Sequence, residues 1–430
     1  MHDSDDAAHA HVTVQQEGGR RVRLDAEIRA RPKGLPVARH PRCVWRASNI
    51  GGLEGTLPGG KGFADGAGMM RPLAGHAPMS SVTRASGSVV RPFVSIVVPC
   101  RNEAAYIGPM LDSMLANEYP RDRLEVLIVD GMSDDGTRAV ITDYASRYPM
   151  IQLLDNPERT TPHALNLGIA RARGRIIMRM DAHAAYPTNY IADLVDCMER
   201  TGADSVGASW RTQPGDTTIM AGAIAAALAH PFGIGNARYR LGTDRVRDVD
   251  TLQCGCYRRD VFERLGLFDQ DLLRSQDSEL TFRVLRAGGR VLLVPGVVAT
   301  YYTRAALGKL WRMFFQYGYF KPLVARKVGA VMTARQLVPA LFVSTVALAA
   351  LFAPWFKAAR VLLLLALGAY MAADFIGAAF LARRRGLPVG LASSVVFPVI
   401  HVAYGVGYLF GTWAFLIRRR RGAPLVALTR

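Results

Sequence analysis

The sequence is poor in cysteine. Its five cysteines are spread over 430 residues, and Cys254 and Cys256 have no second pair at the spacing that a zinc site requires. A chain of this length does not need a disulfide framework, so the pattern favours a reducing, cytoplasmic setting. Acidic and polar residues follow Met1 instead of an apolar stretch, and we therefore expect no secretory signal peptide.

Acidic residues are in short supply, and motifs for nucleic acid or dinucleotide binding are absent. The 53 lysines and arginines exceed the 35 aspartates and glutamates, which gives a formal net charge of +18. Because arginines flank hydrophobic runs and no DNA- or RNA-binding pattern accompanies them, the charge favours a membrane surface and no nucleic acid as partner. The first predicted strand leads into Pro99-Cys-Arg-Asn-Glu103, not into the glycine-rich turn of a dehydrogenase.

Residues 1–90 show no sustained periodicity. They mix glycine, arginine, proline and alanine, a composition that cannot bury a hydrophobic core. We expect a disordered N-terminal extension, with Met79 as an alternative start. A basic arm lying on the membrane is the functional alternative.

Strand and helix patterns alternate from residue 91 to about 305. The predicted strands are 94–99, 124–130, 151–155 and 175–181, and the predicted helices are 104–116, 137–147, 162–172 and 191–201. This rhythm predicts an α/β fold, a doubly wound and mostly parallel sheet with helices on both faces. Ligands bind such sheets beyond the carboxyl ends of the strands.

The C-terminal region is strongly apolar. Its three uninterrupted hydrophobic segments are 337–356, 361–382 and 391–417, and each is long enough to cross a membrane.

The arginines around these segments constrain their orientation. Clusters follow the second segment, at 383–385, and the third, at 418–421. Three ordinary spans would put these clusters on opposite sides, whereas basic residues prefer the cytoplasmic side. We therefore expect the third segment, broken by Pro398 and His401, to be re-entrant or interfacial. Asp374 should face other helices, because a carboxylate is costly in lipid.

Segment 307–327 combines aromatic and basic residues. Two structures fit it equally well: an amphipathic helix in the headgroup layer, or a helix packed on the preceding domain. In the first, the rings that enter the layer are Trp311, Phe314, Phe315, Tyr319 and Phe320. The predicted organisation is an extension (1–90), an α/β domain (91–305), an amphipathic interfacial segment (306–330), a membrane region of about three segments (331–421) and a short tail (422–430).

Asp130 ends the second predicted strand, before a glycine-containing turn. A carboxylate there can accept hydrogen bonds from a uracil ring or from ribose hydroxyls, and we assign it to nucleotide binding. The structural alternative is helix capping, for which Ser133, Asp134 and Asp135 are suited.

Asp181 and His183 are predicted to share one side of an extended segment, since alternate strand residues face the same way. A carboxylate and an imidazole so placed can bind Mg²⁺ or Mn²⁺, which would neutralise a diphosphate leaving group. An ordinary turn at the strand end is the alternative.

Asp277 opens a predicted helix and is the candidate general base, able to take a proton from an attacking hydroxyl. The alternative is an acid that complements the helix dipole. Glu279, two residues later, would contact the acceptor or brace the base.

Several motifs occur together in a fixed order. They are Pro99-x-x-Asn102-Glu103, Asp130-Gly-x-Ser-x-Asp-Gly, Asn166-x-Gly168, Asp181-x-His183, and Gln276-Asp277 followed by Arg283-x-x-x-Ala-Gly-Gly. In this order they resemble the family 2 glycosyltransferases of the GT-A fold. With the C-terminal segments, the chain resembles membrane-associated, succinoglycan-type exopolysaccharide glucosyltransferases.

The resemblance implies an inverting, metal-dependent transfer of one hexose. The donor implied is UDP-glucose, the acceptor is a polyprenyl-diphosphate-linked saccharide, and the new linkage is β. Pro99 and Glu103 would line the nucleotide pocket and Asn166 the donor side. Gln276, Glu279 and Gln316 are candidate acceptor-contacting or supporting residues.

The chain departs from the family pattern in two places. His183 replaces the usual second acid of the metal motif, and Gln316 lacks the Gln-x-x-Arg-Trp context of processive synthases. The second departure favours one sugar per encounter, with Gln316 and its neighbours closing over the diphosphate.

The implied location is the cytoplasmic membrane, in a multi-pass protein whose catalytic domain faces the cytoplasm. Other polysaccharide-assembly enzymes are expected partners. Two alternatives stay open. One is transfer to diacylglycerol, ceramide or dolichyl phosphate. The other is a non-catalytic export component that only binds nucleotide sugars and uses Asp374 and His401.

Overall fold

The computed structural model describes residues 91–303, 305–331 and 333–419. The predicted extension 1–90 and the predicted tail 422–430 lie outside these ranges. In the described part, nine strands form one sheet: β1 (Val94–Cys100), β2 (Leu124–Asp130), β3 (Ile151–Asp155), β4 (Ile176–Arg179), β5 (Ala184–Ala185), β6 (Ser205–Gln213), β7 (Arg247–Asp248), β8 (Cys256–Arg258) and β9 (Val291–Tyr302).

Helices surround this sheet and continue beyond it. Those of the α/β domain are α1 (Ala104–Leu115), α2 (Thr137–Arg147), α3 (Thr161–Arg171), α4 (Tyr190–Thr201), α5 (Ile219–Ala227), α6 (Pro231–Ile234), α7 (Arg238–Leu241), α8 (Arg259–Leu265) and α9 (Gln276–Arg286). The C-terminal helices are α10 (Leu307–Val328), α11 (Val338–Phe352), α12 (Lys357–Arg385) and α13 (Leu387–Gly411). The four helices predicted in the first half of the domain are confirmed as α1 to α4.

The strand order is β3-β2-β1-β4-β8-β6-β9-β5, and β7 pairs with β9. The first four strands are parallel, whereas β8 runs antiparallel to both of its neighbours. Successive residues of β1 enter two cores: Ile96 and Val98 belong to one, and Val97 to the other, with Leu165 of α3. Helices thus cover both faces, which explains why the central strands are continuously apolar.

The carboxyl end of β4 differs from the prediction. The strand ends at Arg179, so the predicted extended segment through Asp181 is wrong at its end. Asp181 and His183 lie in a turn before β5. The backbone N–H of Asp181 donates to the Tyr186 hydroxyl at 2.7 Å, and this hydrogen bond takes the place of a strand partner.

Helix α10 packs on the α/β domain, which is the second of the two alternatives. Tyr319 and Phe320 share a buried cluster with Leu272, and Phe314 is buried too. The expectation that these three rings enter the headgroup layer is therefore wrong, because protein covers them. Trp311 is 40% exposed, and its interfacial position stays a prediction.

Helix α13 lies against α10 at backbone contact distance. A Cβ on Gly407 would lie 2.1 Å from the carbonyl oxygen of Phe315, and one on Gly411 would lie 2.1 Å from that of Tyr319. From the first contact to the second, the residue number rises by four in both helices, so the two helices run parallel. Only glycine permits this approach, as in other closely packed membrane helices.

Pro398 and His401 do not interrupt α13, contrary to expectation. The helix is continuous to Gly411 and ends in a π-helical turn, Thr412–Ile417. The ring nitrogens of His401 are paired with the Phe232 carbonyl at 2.7 Å and the Tyr370 hydroxyl at 2.8 Å, which satisfies the histidine inside the helix bundle. A re-entrant or interfacial orientation of this helix stays a prediction.

Three helices are long and apolar enough to cross a membrane within the described residues. They are Ala334–Phe352, Lys357–Arg385 and Leu387–Ile417. Leu364 and Phe375 of α12 are more than two-thirds exposed, at 71% and 73%, a surface that lipid would cover. Asp374 is buried, which confirms that it faces protein.

The Gly407 contact yields a stability prediction. Gly407→Ala should destabilise the protein by about 1–3 kcal/mol, since the added methyl meets the rigid backbone of α10. Thermal unfolding in detergent measures the effect. Gly368→Ala in α12 is the matched control, because a Cβ there meets no described atom within 4 Å. Equal melting temperatures for the two variants would contradict the close packing.

Candidate active site

A cavity of about 750 Å³ lies where β1, β2 and β4 end. It brings together six of the ten residues predicted from the sequence, namely Pro99, Glu103, Asp181, His183, Gln276 and Asp277. The other four are Asp130, Asn166, Glu279 and Gln316, and they lie outside the lining of this cavity. The metal-binding and general-base candidates therefore share one space.

Arg179, the last residue of β4, connects these two candidates. Its Nη1 donates to both carboxylate oxygens of Asp277 at 2.8 Å. Its Nη2 and Nε donate to Oδ1 of Asp181 at 2.9 and 3.1 Å. The guanidinium is buried. It ties the end of the parallel sheet to the first turn of α9.

Arg179 acts to lower the pKa of both acids, but the net shifts are opposite. Burial by itself would raise the pKa of Asp181, but the guanidinium of Arg179, followed by His183, holds the pKa below its ordinary value. Burial dominates at Asp277, and the nearby charge of Asp181 adds to it, so its pKa is raised even though Arg179 opposes the shift. A raised pKa makes Asp277 the better proton acceptor of the pair.

His183 is oriented by a carboxylate. Its Nδ1 lies 3.1 Å from Oε1 of Glu103, the arrangement that commonly orients a metal-binding histidine. No cluster of three or more acidic, histidine or cysteine side chains suited to a metal occurs in the described ranges. The donor set thus fits a cation shared with diphosphate oxygens, as Mg²⁺ sites often are.

Asp130 is enclosed by its own loop. It is completely buried and accepts hydrogen bonds from the Ser133 N–H at 2.9 Å and from Arg138 Nη1 at 2.8 Å. The next residue, Gly131, lines the cavity. In this geometry Asp130 shapes the turn, and its contact with a nucleotide stays a prediction.

The capping alternative is confirmed for Asp135. It accepts from the backbone N–H of Thr137, which begins α2, at 3.1 Å, and from that of Ala104, which begins α1, at 3.2 Å. One carboxylate thus satisfies free N–H groups at two helix starts beside the cavity.

The remaining predicted residues support the walls. The Asn166 amide makes two hydrogen bonds with the backbone of Phe268, at 2.8 and 3.0 Å. Glu279 is bound by Arg283 at 2.7 and 2.8 Å, and Gln316 accepts from Arg274 at 3.3 Å. Glu279 therefore braces the helix that carries Asp277.

Comparison with known proteins identifies the family. A family model described as "Glycosyl transferase family 2" matches residues 95–266. The succinoglycan biosynthesis protein ExoA of Rhizobium meliloti (strain 1021) is 31% identical over 330 residues, which span 76% of this chain and 96% of that protein. The chain belongs to the family 2 glycosyltransferases.

Two further glycosyltransferases are similar to this chain, one in sequence and one in fold. A dolichyl N-acetyl-alpha-D-glucosaminyl phosphate 3-beta-D-2,3-diacetamido-2,3-dideoxy-beta-D-glucuronosyltransferase of Methanococcus voltae is 26% identical over 55% of this chain and 74% of that protein. The solved mannosyltransferase PcManGT of Pyrobaculum calidifontis, in complex with GDP-Man and Mn²⁺, is similar in fold: the TM-score is 0.51 at 23% identity, over 76% of this chain and 88% of that one.

These matches confirm the predicted GT-A fold and the enzyme class. They favour an enzyme over the export component that only binds nucleotide sugars.

Arg179 was missed in the sequence, although a signal for it exists. It is the one charged residue in the apolar strand β4 and stands two positions before Asp181, so the two side chains share a side. Other missed lining residues come from loops, from the short helix α7 and from α10, namely Asn156, Arg159, Arg240 and Lys321. They follow no periodic pattern that a sequence could reveal.

Removing the Arg179 guanidinium should expose its structural role. Arg179→Met leaves two buried carboxylates without their counter-charge, and we expect a loss of about 3–5 kcal/mol in the free energy of unfolding. The difference in the free energy of unfolding between the parent protein and the variant should become smaller below pH 3.8. Aspartates lose their charge there, and the depressed pKa of Asp181 no longer stabilises the fold.

Thermal unfolding across pH measures this loss, and Arg175→Met is the control. Arg175 pairs with Glu199 on the surface, where an ion pair contributes less than about 1 kcal/mol. Similar losses in the two variants would refute the buried cross-link.

Proposed function

We propose that the enzyme transfers one hexose, glucose from UDP-glucose, to a polyprenyl-diphosphate-linked saccharide in exopolysaccharide synthesis, with inversion at the anomeric carbon. The observation that carries this proposal is the placement of Asp277 in one cavity with Asp181 and His183, beside helices that adjoin the apolar segments. A donor end, a base and a membrane-facing acceptor end thus share one space.

Asp277 is the general base of the proposed reaction. Its carboxylate takes the proton from the acceptor hydroxyl as that oxygen attacks the anomeric carbon, and the bond from this carbon to the diphosphate breaks in the same step. One displacement inverts the configuration, so an α-linked donor yields a β-linkage. Arg179 orients the carboxylate through both of its oxygens.

Asp181 and His183 would hold a divalent cation, Mn²⁺ or Mg²⁺, together with the donor diphosphate. The cation would neutralise the charge that develops on the leaving diphosphate. Glu103 keeps the His183 ring in the orientation that binding needs. Pro99 and Glu103 line the donor end of the cavity, and Asp130 supports the adjoining turn.

The acceptor assignment rests on the apolar helices and on the relatives. The name of the Rhizobium relative refers to succinoglycan biosynthesis. The name of the Methanococcus relative describes an acceptor in which a sugar is joined through phosphate to dolichol, and this supports a lipid-linked saccharide as the acceptor here. Such an acceptor requires a catalytic domain held at a membrane, here the cytoplasmic face of the inner membrane.

Sugar transfer into membrane lipid tests the proposal. Membranes that contain the protein are incubated with radiolabelled UDP- and GDP-hexoses, in Mn²⁺, Mg²⁺ or EDTA, and label is counted in the lipid extract. We expect label from UDP-glucose alone and its loss in EDTA. Label from another donor would refute the assignment of glucose as the donor sugar. Label that persists in EDTA would refute the requirement for a divalent cation.

Asp277→Asn tests the base. We expect transfer to fall by about 10²–10⁴-fold, because the amide cannot take the proton, while UDP binding is retained. Asp271→Asn is the control, since Asp271 is an exposed acid that pairs with Lys327 just before α9. Full transfer activity in the Asp277→Asn enzyme would show that Asp277 is not the general base.

Glu103→Gln tests the orientation of His183. We expect the affinity for Mn²⁺, measured by calorimetry in the presence of UDP, to fall about 10–100-fold, as for other carboxylates behind metal-binding histidines. Glu158→Gln, which changes another acid lining the same cavity, is the control. Unchanged Mn²⁺ affinity in Glu103→Gln would argue against metal binding by His183.

A further inference from the structure

The cavity continues past Asp277 to a second group of polar residues. These come from four separate segments: Ser278 of α9, Lys321 of α10, Arg335 of the turn before α11, and Tyr404 of α13. Nζ of Lys321 lies 3.4 Å from the Ser278 hydroxyl, and Ser278 directly follows Asp277. This group therefore adjoins the proposed base.

Positive charge exceeds negative charge here. Arg335 donates to Asp250 at 3.0 Å and to the Asn236 carbonyl at 3.2 Å, which fixes its guanidinium. Lys321 forms no salt bridge with any carboxylate in the described ranges. Burial, together with the positive charge of Arg335, lowers the pKa of Lys321 to about 8, so the lysine remains largely charged near neutral pH. Lys321 and Arg335 are thus two cations near one carboxylate, that of Asp250.

The surroundings indicate an anion that is attached to an apolar chain. Apolar side chains that line the same cavity are Leu228, Ile234, Met313 and Phe314. Arg335 lies at the start of one candidate membrane span, and Tyr404 lies within another. A bound molecule can therefore keep its charged group at Lys321 while its chain follows apolar surface towards the membrane.

The position also separates this group from the donor end. Glu103 and His183 stand on the Asp181 side of the Arg179 cross-link, whereas Lys321 contacts the residue that follows Asp277. In an in-line displacement the attacking hydroxyl lies between the base and the anomeric carbon, so the base stands beside the acceptor. The cationic group is consequently on the acceptor side.

We propose that Lys321, with Ser278, Arg335 and Tyr404, binds the phosphate through which the acceptor is joined to its lipid. This inference rests on the proposed function and adds the chemistry by which the acceptor is recognised. The ammonium and guanidinium supply charge-assisted hydrogen bonds to the phosphate oxygens, and the hydroxyls complete the site. Neutral glycolipids lack the group that this site recognises.

Binding of farnesyl diphosphate tests the inference without requiring transfer. The full chain in detergent micelles is titrated by calorimetry with farnesyl diphosphate, inorganic pyrophosphate and UDP. We expect Lys321→Gln to weaken farnesyl diphosphate binding about tenfold or more, since a hydrogen bond to a charged group is lost. Lys321→Arg should retain binding, and UDP affinity should stay unchanged and so report an intact fold.

Lys309→Gln is the matched control, because Lys309 is an exposed lysine on the same helix. Unchanged farnesyl diphosphate affinity in Lys321→Gln would overturn the inference. An equal loss of UDP affinity would assign Lys321 to the donor diphosphate and overturn it as well. Pyrophosphate binding as tight as that of farnesyl diphosphate would make this a site for free anions, not for lipid phosphate.

The two proposals fail in different ways. If no donor yields labelled lipid but Lys321→Gln still weakens farnesyl diphosphate binding, the proposed transfer falls and the phosphate site stands. If labelled lipid forms equally in the parent and in Lys321→Gln across acceptor concentrations, the transfer stands and the phosphate site falls.

Discussion

The site depends on one buried guanidinium that joins segments far apart in the sequence. Arg179 ends a parallel strand, and its hydrogen bonds reach both Asp181, two residues on, and Asp277, 98 residues on. Buried carboxylates repel each other unless a positive charge lies between them. Arg179 lies between the two carboxylates and thus compensates their charges where the metal-binding and general-base candidates share one cavity. The opposite pKa directions of the two acids follow from the same geometry.

The cavity has two structural origins, and each supplies one half of the proposed reaction. The ends of β1, β2 and β4 form the donor half, as expected of ligand sites on open α/β sheets. Helices α10 and α13 line the half that we assign to the acceptor. Glycines hold α13 in close contact with α10, so these C-terminal helices take part in the site.

Local patterns predicted elements that local forces stabilise. Helices α1 to α4 follow from apolar periodicity, and their observed ends agree to within a residue. The positions of Asp181, His183 and Asp277 in one cavity were also predicted, because strand ends and helix starts meet at one edge of such a sheet. Patterns failed where distant chain segments decide the environment. Three aromatic rings of α10 are buried because the α/β domain and the C-terminal helical segment cover them. Pro398 does not interrupt α13, in which the Phe232 carbonyl pairs with His401.

By itself, the sequence determined the fold class, the order of the motifs that contain Asp130, Asp181 and Asp277, and the apolar C-terminal segments. Each of these depends on residues close together in the chain. Tertiary structure alone decided which side chains face the cavity. It paired Asp130 with the Ser133 N–H, and Asn166 with the backbone of Phe268. It also brought Arg179 to Asp277, and Lys321 to Ser278. Such pairs are set by the packing of sheet against helices, and no sequence spacing records the distance between them.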